Sequence, residues 1–535
     1  MITELVKRLK RKRLRQILRG YLVLKKSDSL TKINDLKDRL TTTECCKGGS
    51  FSKFIFGAAT DNFELVIRQY LLIRISGLAL NKALLYALGK EGSSVVYPLP
   101  SEWRKVLEQQ GLKVAKIRSA LMWDGYIVLL LAYGILSIGR TVLHSIKEII
   151  HPSFPALGSY AYFDALNAGN LPQPSKDGRS YDIVTWYQQW LGRVCELDSI
   201  CHSVKGVTST TVGGIRLVSG SSAIPPLTQL RALMRYAGWS TAASMLAIVD
   251  LFRGRWWHAL MLNQAALAAQ VRMHKADKLA RDYLFHISGW VYRPLWTYDA
   301  EKLGSRITFY FYATNTEDFK RSDGYRPPAY GWRAISWSHY LVWDEYQADF
   351  VRRAHGGAKI SVVGPIWFQS SAIEMLKIEK PGVAVFDVTP HRRSRYCISG
   401  VDFDYYVPAI CEKFLEDIAN VTRQLGASML WKQKRKISAL THPHYRHFAS
   451  RFSECRDIVL IDSDISPVRI IESSCAVISM PFTTPAQIAK AMGNPSIYYD
   501  PTGRLQRDDR AAHGIPILVG PEELKTWLSP LIKIR

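Results

Sequence analysis

The chain has 535 residues, of which 47% are hydrophobic and 22% charged, a globular balance that at ordinary domain sizes implies about two to four domains. Its net charge of +25 implies an acidic partner: nucleic acid, an anionic membrane surface or phosphorylated substrates. Eight cysteines with no Cys-x-x-Cys spacing and no Cys/His set of zinc geometry argue against a metal-stapled fold and fit a reduced, cytoplasmic setting, and the basic N-terminus lacks the apolar core and cleavage site of a secretory signal.

Residues 1–26 carry Lys7, Arg8, Lys10, Arg11, Lys12, Arg13, Arg15, Arg19, Lys25 and Lys26 against the single acid Glu4. Ile2, Leu5, Leu9, Ile17, Leu18 and Tyr21 are interleaved near helical spacing, which predicts a basic amphipathic helix. Such a helix suits anionic lipid, where each Lys or Arg near the surface contributes about 1 kcal/mol, and the alternatives are a solvated arm or one touching nucleic acid. Residues 27–52 are polar and aperiodic and read as a linker, closing a first segment of 1–52.

Residues 64–89 are helical in pattern, and the run 93–97 followed by Pro98-Leu99-Pro100 and the helix 101–110 reads as a strand-turn-helix unit of an N-terminal α/β domain. The apolar run 127–139, bracketed by Asp124 and Arg140, falls short of the roughly 20 residues of a bilayer span and predicts a core or interfacial helix. Its expected partner is 242–251, followed by Phe252-Arg253-Gly254-Arg255-Trp256-Trp257, where aromatic and basic residues alternate as at membrane interfaces. A strand ending in a small-residue loop is expected over 214–222, a helix over 228–236 behind Pro225-Pro226, another over 266–280, and a strand over 306–312.

A change of domain is expected near His355-Gly356-Gly357, giving an N-terminal α/β acceptor-side domain at 53–356 and a Rossmann-like donor domain at 357–535. Strands are predicted at 359–363, 383–388, 428–431, 458–461, 476–479, 496–499 and 515–519, with helices between most of them, the signature of a parallel sheet. Open α/β sheets bind ligands at the carboxyl ends of their strands, so the strand-end residues become the candidates. These are Gly364-Pro365, Arg392, Arg393 and Arg395 in DVTPHRRSR, Lys432 and Lys434 in WKQKRK, His442-Pro443, and Thr483-Thr484. Thr484 is a good N-cap ahead of Pro485, and the free N–H groups of such a helix start make a prepared anion site. No Gly-x-x-x-x-Gly-Lys-Ser/Thr sequence is present, which disfavours a P-loop phosphotransferase. No Asp-x-Asp ends an evident N-terminal strand, and Asp462-Ser463-Asp464 lies in the second domain, so donor activation is expected without metal or cofactor.

The segment Pro481-Phe482-Thr483-Thr484 resembles the Pro-Phe-Thr-Ser motif of a bacterial surface-polysaccharide biosynthesis family, three letters of four, with Thr484 keeping the hydroxyl of the family's serine. The likeness extends through YRPLWTYDAEKLGS from Tyr292, FYFYATNTEDF from Phe309, LVWDEYQADF from Leu341, VVGPIWF from Val362, VFDVTP from Val385 and HPHYRHF from His442. The two α/β domains resemble the double-Rossmann glycosyltransferase architecture called GT-B. His442-Pro443 with the later hydroxyl pair is similar to transferases of cytidine-activated sugars, which implies donor-phosphate contacts for His442, Thr483 and Thr484. In those families the acidic motif is two carboxylates followed by Gly, from which Asp344-Glu345-Tyr346 departs. Asp344 and Glu345 lie just before the expected domain junction, where a side chain could reach across a cleft, so the catalytic base is expected there, with Asp124 and Asp182 next and a salt bridge to Arg352 or Arg353 the alternative.

The resemblance implies a glycosyltransferase on the inner face of the cytoplasmic membrane, moving a sugar from a nucleotide donor to a lipid-linked or glycan acceptor. A CDP-polyol phosphate transferase, a sugar-nucleotide epimerase and a non-catalytic nucleic-acid-binding protein are the alternatives. The chain has no recognised nucleic-acid-binding motif, and its basic clusters fall at strand ends rather than along one helix face, so no nucleic-acid partner is expected.

Overall fold

The computed structural model describes residues 2–26, 32–46, 52–155, 157–166, 168–171, 182, 184–187, 197–212, 214–286, 291–314, 316–366, 381–392, 395–396, 405–463 and 465–533. Arg393 and Asp464 lie outside the described residues. The chain builds two sheets. The first contains β1 (Tyr160–Phe163), β2 (Ser199–His202), β3 (Thr210–Val212), β4 (Ile215–Val218), β5 (Asp282–His286), β6 (Arg306–Tyr310), β7 (His339–Val342) and β8 (Lys359–Val362), in the order β3-β4-β2-β1-β5-β6-β7-β8. The second contains β9 (Gly382–Phe386), β10 (Ser428–Lys432), β11 (Ile458–Ile461), β12 (Ala476–Ser479), β13 (Ser496–Asp500) and β14 (Ile517–Val519), in the order β11-β10-β9-β12-β13-β14.

Every pairing is parallel except the β3–β4 hairpin. Both sheets are doubly wound: each first strand, β1 or β9, sits inside, the next strands build to one side and the later ones to the other. For β9 to β14 this is the 3-2-1-4-5-6 order of a Rossmann domain, so the molecule has the two-Rossmann plan of the GT-B architecture. Central strands covered by helices on both faces must be apolar throughout, and YAYF, GVAVF and AVIS are buried at every position.

One strand moves between domains relative to the sequence expectation. Lys359–Val362, expected to open the second domain after Gly356, instead pairs parallel with β7 and forms the edge of the first sheet. Gly356-Gly357 marks a turn between neighbouring strands of one sheet, and the chain reaches the other sheet only between Val362 and Gly382. The expected strand at 93–97 is also reduced: Val95 makes an isolated parallel bridge with Val114, outside both sheets.

The N-terminal segment differs as well. Ile2–Lys26 is one helix, and its residues 8–15 are exposed all round. Its later part docks on the helix Leu78–Leu88, burying Ile17, Tyr21 and Leu24. The backbones meet at two glycines: a Cβ on Gly20 would stand 2.0 Å from the Leu85 oxygen, and one on Gly89 would stand 1.9 Å from the Gln16 oxygen. Gln16 Nε2 seals the crossing by donating to the Tyr86 carbonyl (3.0 Å) and to Ser93 Oγ (3.2 Å). The expected linker likewise contains the helix Lys32–Thr42, which buries Ile33, Leu36 and Leu40.

The apolar run 127–139 belongs to the 35-residue helix Lys116–Ile150, far longer than the run itself. It packs with Leu230–Phe252 around the buried helix Trp257–Arg272. Trp256 and Trp257, expected at an interface, are buried in this core.

Candidate active site at the carboxyl edge of the second sheet

In a sheet of this order the ligand crevice opens where the chain reverses direction, here between the carboxyl ends of β9 and β12. Phe386 of β9 is in register with Lys432 of β10 and with Ser479 of β12, so these strands end at one level. Beyond that line lie 387–392, 433–442, 462–463, 465–466 and the motif Pro481-Phe482-Thr483-Thr484.

The motif is a rigid turn with its carbonyls drawn inward. Thr483 Oγ1 donates to the Met480 carbonyl (2.7 Å), the Tyr406 hydroxyl to the Pro481 carbonyl (2.6 Å) and the Tyr498 hydroxyl to the Thr483 carbonyl (2.9 Å). Phe482 holds φ +60°, a left-handed conformation that costs a non-glycine residue roughly 1–3 kcal/mol. It is buried against Tyr498 and against Phe319 of the first domain, at a centroid distance of 4.7 Å from the latter. The N-cap of the helix Thr484–Ala491 is Thr483 rather than the expected Thr484, and its hydroxyl, spent on Met480, makes no cap bond. The first turn is thus left without a side-chain acceptor, at the position where an anion would sit.

Two more helices begin at this edge, Pro443–Phe452 after β10 and Pro467–Glu472 after β11, each with proline in its first turn. His442 caps the first of them, its Nδ1 accepting from the His444 amide (3.3 Å). With Nδ1 an acceptor, the neutral imidazole carries its proton on Nε2 and has a donor to offer. Burial first, then the charges of His444 and Arg392, lower the His442 pKa and favour that neutral form. Two hydroxyls at the edge have no hydrogen-bond partner though buried, Ser466 Oγ and Ser479 Oγ. Such groups call for a ligand or an ordered water.

The sequence reading missed the residue that holds this edge together. Asp387, the first residue beyond β9 and 2% exposed, accepts at Oδ1 from the Lys434 amide (3.1 Å) and at Oδ2 from the Tyr445 hydroxyl. It therefore joins three segments, the 387–392 loop, the 433–442 loop and the His442-capped helix. Burial pushes its carboxyl up to about 6. The two loops also zip together: the His442 amide donates to the Pro390 carbonyl (2.9 Å) and the Arg392 amide to the Leu440 carbonyl (2.9 Å). That pairing brings Arg392 beside His442. The available signal was a carboxylate ending an all-apolar strand, VAVFD, where burial has to be answered by hydrogen bonds.

Of the expected site residues, His442, Thr483, Thr484, Lys434 and Arg392 therefore share one edge. Lys432 is also there, but its buried ammonium donates to the Ser463 carbonyl (2.6 Å), fixing the loop after β11 rather than projecting into the crevice. Gly364-Pro365 follows β8 and so belongs to the first sheet, with Gly364 at φ +76°. Asp344 and Glu345 lie at the start of the helix after β7. Asp344 caps the helix Glu345–Ala354 by accepting from the Gln347 amide (2.9 Å) and pairs with His513 Nδ1 (2.7 Å), while Glu345 lies 72% exposed beside Arg352. Asp124 is exposed on the Lys116–Ile150 helix, and buried Asp182 accepts from the amides of Val184 and Thr185.

The carboxyl edge of the first sheet faces this site, because the loop after β6 meets the loops after β12 and β13. Phe319 packs tilted against Phe482, the Lys320 amide donates to Asp509 Oδ2 (2.8 Å), and the Arg510 guanidinium lies 3.8 Å over the Tyr325 ring. At the first sheet's own reversal point three titratable groups end adjacent strands. Asp164 follows β1, its carboxyl raised by burial and drawn back by His286. His286 ends β5 and donates from Nε2 to the Ala165 carbonyl (3.0 Å). His202 ends β2, with Nδ1 accepting from the Val204 amide (3.2 Å), a buried and unpartnered Nε2, and a pKa that burial lowers to about 4. A cavity of about 850 Å³ lies at the opposite, amino edge, lined by Tyr160, His274, Arg281 and Ser305, and takes no part in this site.

A family model described as "Polysaccharide biosynthesis PFTS motif protein" matches residues 239–528, more than half of the chain. No curated protein matches. Among solved structures the chain is similar to the wall teichoic acid polymerase TagF, with TM-score 0.37 and 11% identity over 77% of this chain and 89% of that one. It is also similar to the UDP-GlcNAc 2-epimerase of Methanocaldococcus jannaschii, with TM-score 0.35 and 8% identity over 70% and 92% of the two chains. A third is Os79 from O. sativa in complex with UDP, with TM-score 0.34 and 10% identity over 70% and 91%.

Proposed function

The chain belongs to the polysaccharide biosynthesis PFTS motif family; from that premise we propose that it is a glycosyltransferase of bacterial surface polysaccharide, moving a sugar from a nucleotide donor to a lipid-linked or glycan acceptor at the inner face of the membrane. The observation that carries the reading is the convergence at one sheet edge of three helix N-termini, the His442 imidazole and the Arg392 guanidinium, facing a second Rossmann-order sheet.

Transfer with inversion requires a group to take the acceptor hydroxyl's proton and a positive field for the charge that develops on the departing phosphate. The field comes from the open first turn of Thr484–Ala491, the Nε2–H of His442, and Arg392 with Lys434. Asp387 and Lys432 act as positioning residues for these groups. Asp164 takes the proton: its raised carboxyl ends the reversal strand of the facing sheet, with His286 beside it to stabilise the charge. Activation of the donor needs no metal in this reading, and turnover insensitive to EDTA is the check.

The decisive experiment is thermal stabilisation by CMP, CDP, UDP, GDP and dTDP. A ligand at 100 times its Kd contributes about 2.7 kcal/mol of stability, so the cognate nucleotide is the one that raises Tm most. No shift with any nucleotide overturns the reading, and a shift abolished by His442→Ala but kept in Asp164→Asn, which loses turnover, supports both assignments.

A further inference from the structure

The helices Lys116–Ile150 and Leu230–Phe252 turn a bare apolar face outward. Leu121, Leu129, Leu136 and Leu143 on the first and Met245 and Phe252 on the second are 61–89% exposed. Basic residues stand at both ends of both helices, and exposed: Lys116 and Arg118, then Arg140 and Lys147; Arg231 and Arg235, then Arg253 and Arg255. The three carboxylates on the two helices hardly counter them. Glu148 is turned in to accept from the Ser153 and Phe154 amides, Asp250 is buried against His258 and Arg255, and only Asp124 is exposed.

By length and composition Lys116–Ile150 would cross a bilayer, but its packing forbids it. One stripe of the helix, Trp123, Ile127, Leu131, Gly134 and Ile138, is buried, and a Cβ on Gly134 would stand 2.8 Å from Leu262 Cβ of the Trp257–Arg272 helix. That neighbour is itself buried on almost all sides, so crossing the bilayer would open the core.

We propose that this two-helix face lies in the plane of an anionic bilayer, its apolar side chains sunk into one leaflet and its terminal cations on lipid phosphates. A second copy of the chain fits less well, because a twofold pairing through this face would bring the basic ends of the helices together, whereas anionic headgroups neutralise them. The proposal deepens the membrane part of the proposed function and is independent of the reaction: vesicle binding is read without nucleotide, and the nucleotide shift is read without lipid.

The test is flotation of the full-length protein with vesicles of phosphatidylglycerol and phosphatidylethanolamine, compared with phosphatidylcholine alone, at low and high salt. The exposed basic segment 8–15 gives salt-sensitive binding of its own, so the part retained at high salt reports the apolar face. Leu129→Glu with Leu136→Glu and Phe252→Glu should cut that retained fraction roughly tenfold or more. Arg231→Gln with Arg235→Gln and Arg253→Gln should reduce the preference for phosphatidylglycerol and spare the retained part. For a second readout, Leu129→Cys in a background with Cys45, Cys195, Cys397 and Cys455 replaced by Ser carries a polarity-sensitive dye, whose emission should shift to the blue on vesicles. An unshifted dye, unchanged flotation of the triple-Glu protein, or a wild-type dimer that those Glu substitutions dissociate without affecting vesicle binding would each overturn the proposal.

Discussion

Asp387 shows how one buried carboxylate can organise a site it does not enter. Its two oxygens hold segments that carry Lys434 and the His442 helix, so its loss disperses groups several residues away. Its raised pKa also has a thermodynamic consequence of definite sign. A carboxyl at about 6 in the folded state, against roughly 3.9 unfolded, favours folding once protonated, a contribution fully present below the unfolded value and lost as pH rises through 6. The stability of the wild type relative to Asp387→Asn should therefore rise by about 2 kcal/mol between pH 7 and pH 4.5, measured by urea unfolding. A difference that is flat or falls toward acid would mean that the carboxyl is not desolvated. His442→Ala tests the neighbouring role. Losing one preorganised donor to a leaving phosphate costs about a hundredfold to a thousandfold in turnover, while losing the N-cap bond costs only about 1 kcal/mol of stability. A turnover loss below tenfold in steady-state kinetics would remove His442 from the phosphate site. Thr483→Val is less clean, because its hydroxyl also closes the motif turn on Met480, so both stability and turnover should fall.

At the scale of elements, the N-terminal helix carries the sharpest revision. Its composition reads as a membrane arm, yet Gly20 and Gly89 allow a backbone crossing that no other residue pair would permit. Gly20→Ala should lower Tm and speed tryptic cleavage within 8–19, whereas Gly125→Ala, also inside a helix but with open space around it, should do neither. Cleavage as slow in Gly20→Ala as in the wild type would mean that the helix does not dock there. The same contrast explains what the sequence discloses. Period and apolar runs identify β9 to β14 within a residue or two, because strands buried on both faces can only be continuous hydrophobic runs. The strand-end residues follow from that, and the motif hydroxyls with them. Lost to the sequence reading are features that depend on who the neighbour is. β8 alternates in a way compatible with either sheet, and only the unfilled edge of β7 decides. Asp344 stands where a catalytic carboxylate is expected, and only the three-dimensional approach of His513 shows that it also joins a helix cap to an interdomain pair.

One side of the second Rossmann unit shares the apolar interior of the first, while its other side packs in a separate cluster around Val385, Phe414 and Trp431. The cluster that contains Phe163, Tyr283 and Tyr310 of the first sheet extends without a break to Phe386, Leu430, Ile461 and Ile488 of the second. Polar bonds reinforce it from the site side, where Asp509 accepts from the Lys320 amide and the Tyr325 hydroxyl, and Gln506 Nε2 donates to the Arg321 carbonyl (3.0 Å). Independent domains joined by a linker would bury little across their boundary and unfold separately; a continuous core cannot be opened on one side without exposing the other. Calorimetry should therefore record a single endotherm, and saturating cognate nucleotide, whose proposed phosphate contacts lie at the edge of the second sheet, should move all of it upward. The coupling also sets the strain at Phe482, since Phe319 of the first domain packs on the ring that holds φ at +60°. Phe319→Ala should then weaken nucleotide binding although Phe319 touches no phosphate-binding group, because the motif turn loses the packing that keeps it strained in place. Two endotherms, with nucleotide shifting only one and Phe319→Ala leaving its Kd unchanged, would show instead that the site is built by the second sheet alone.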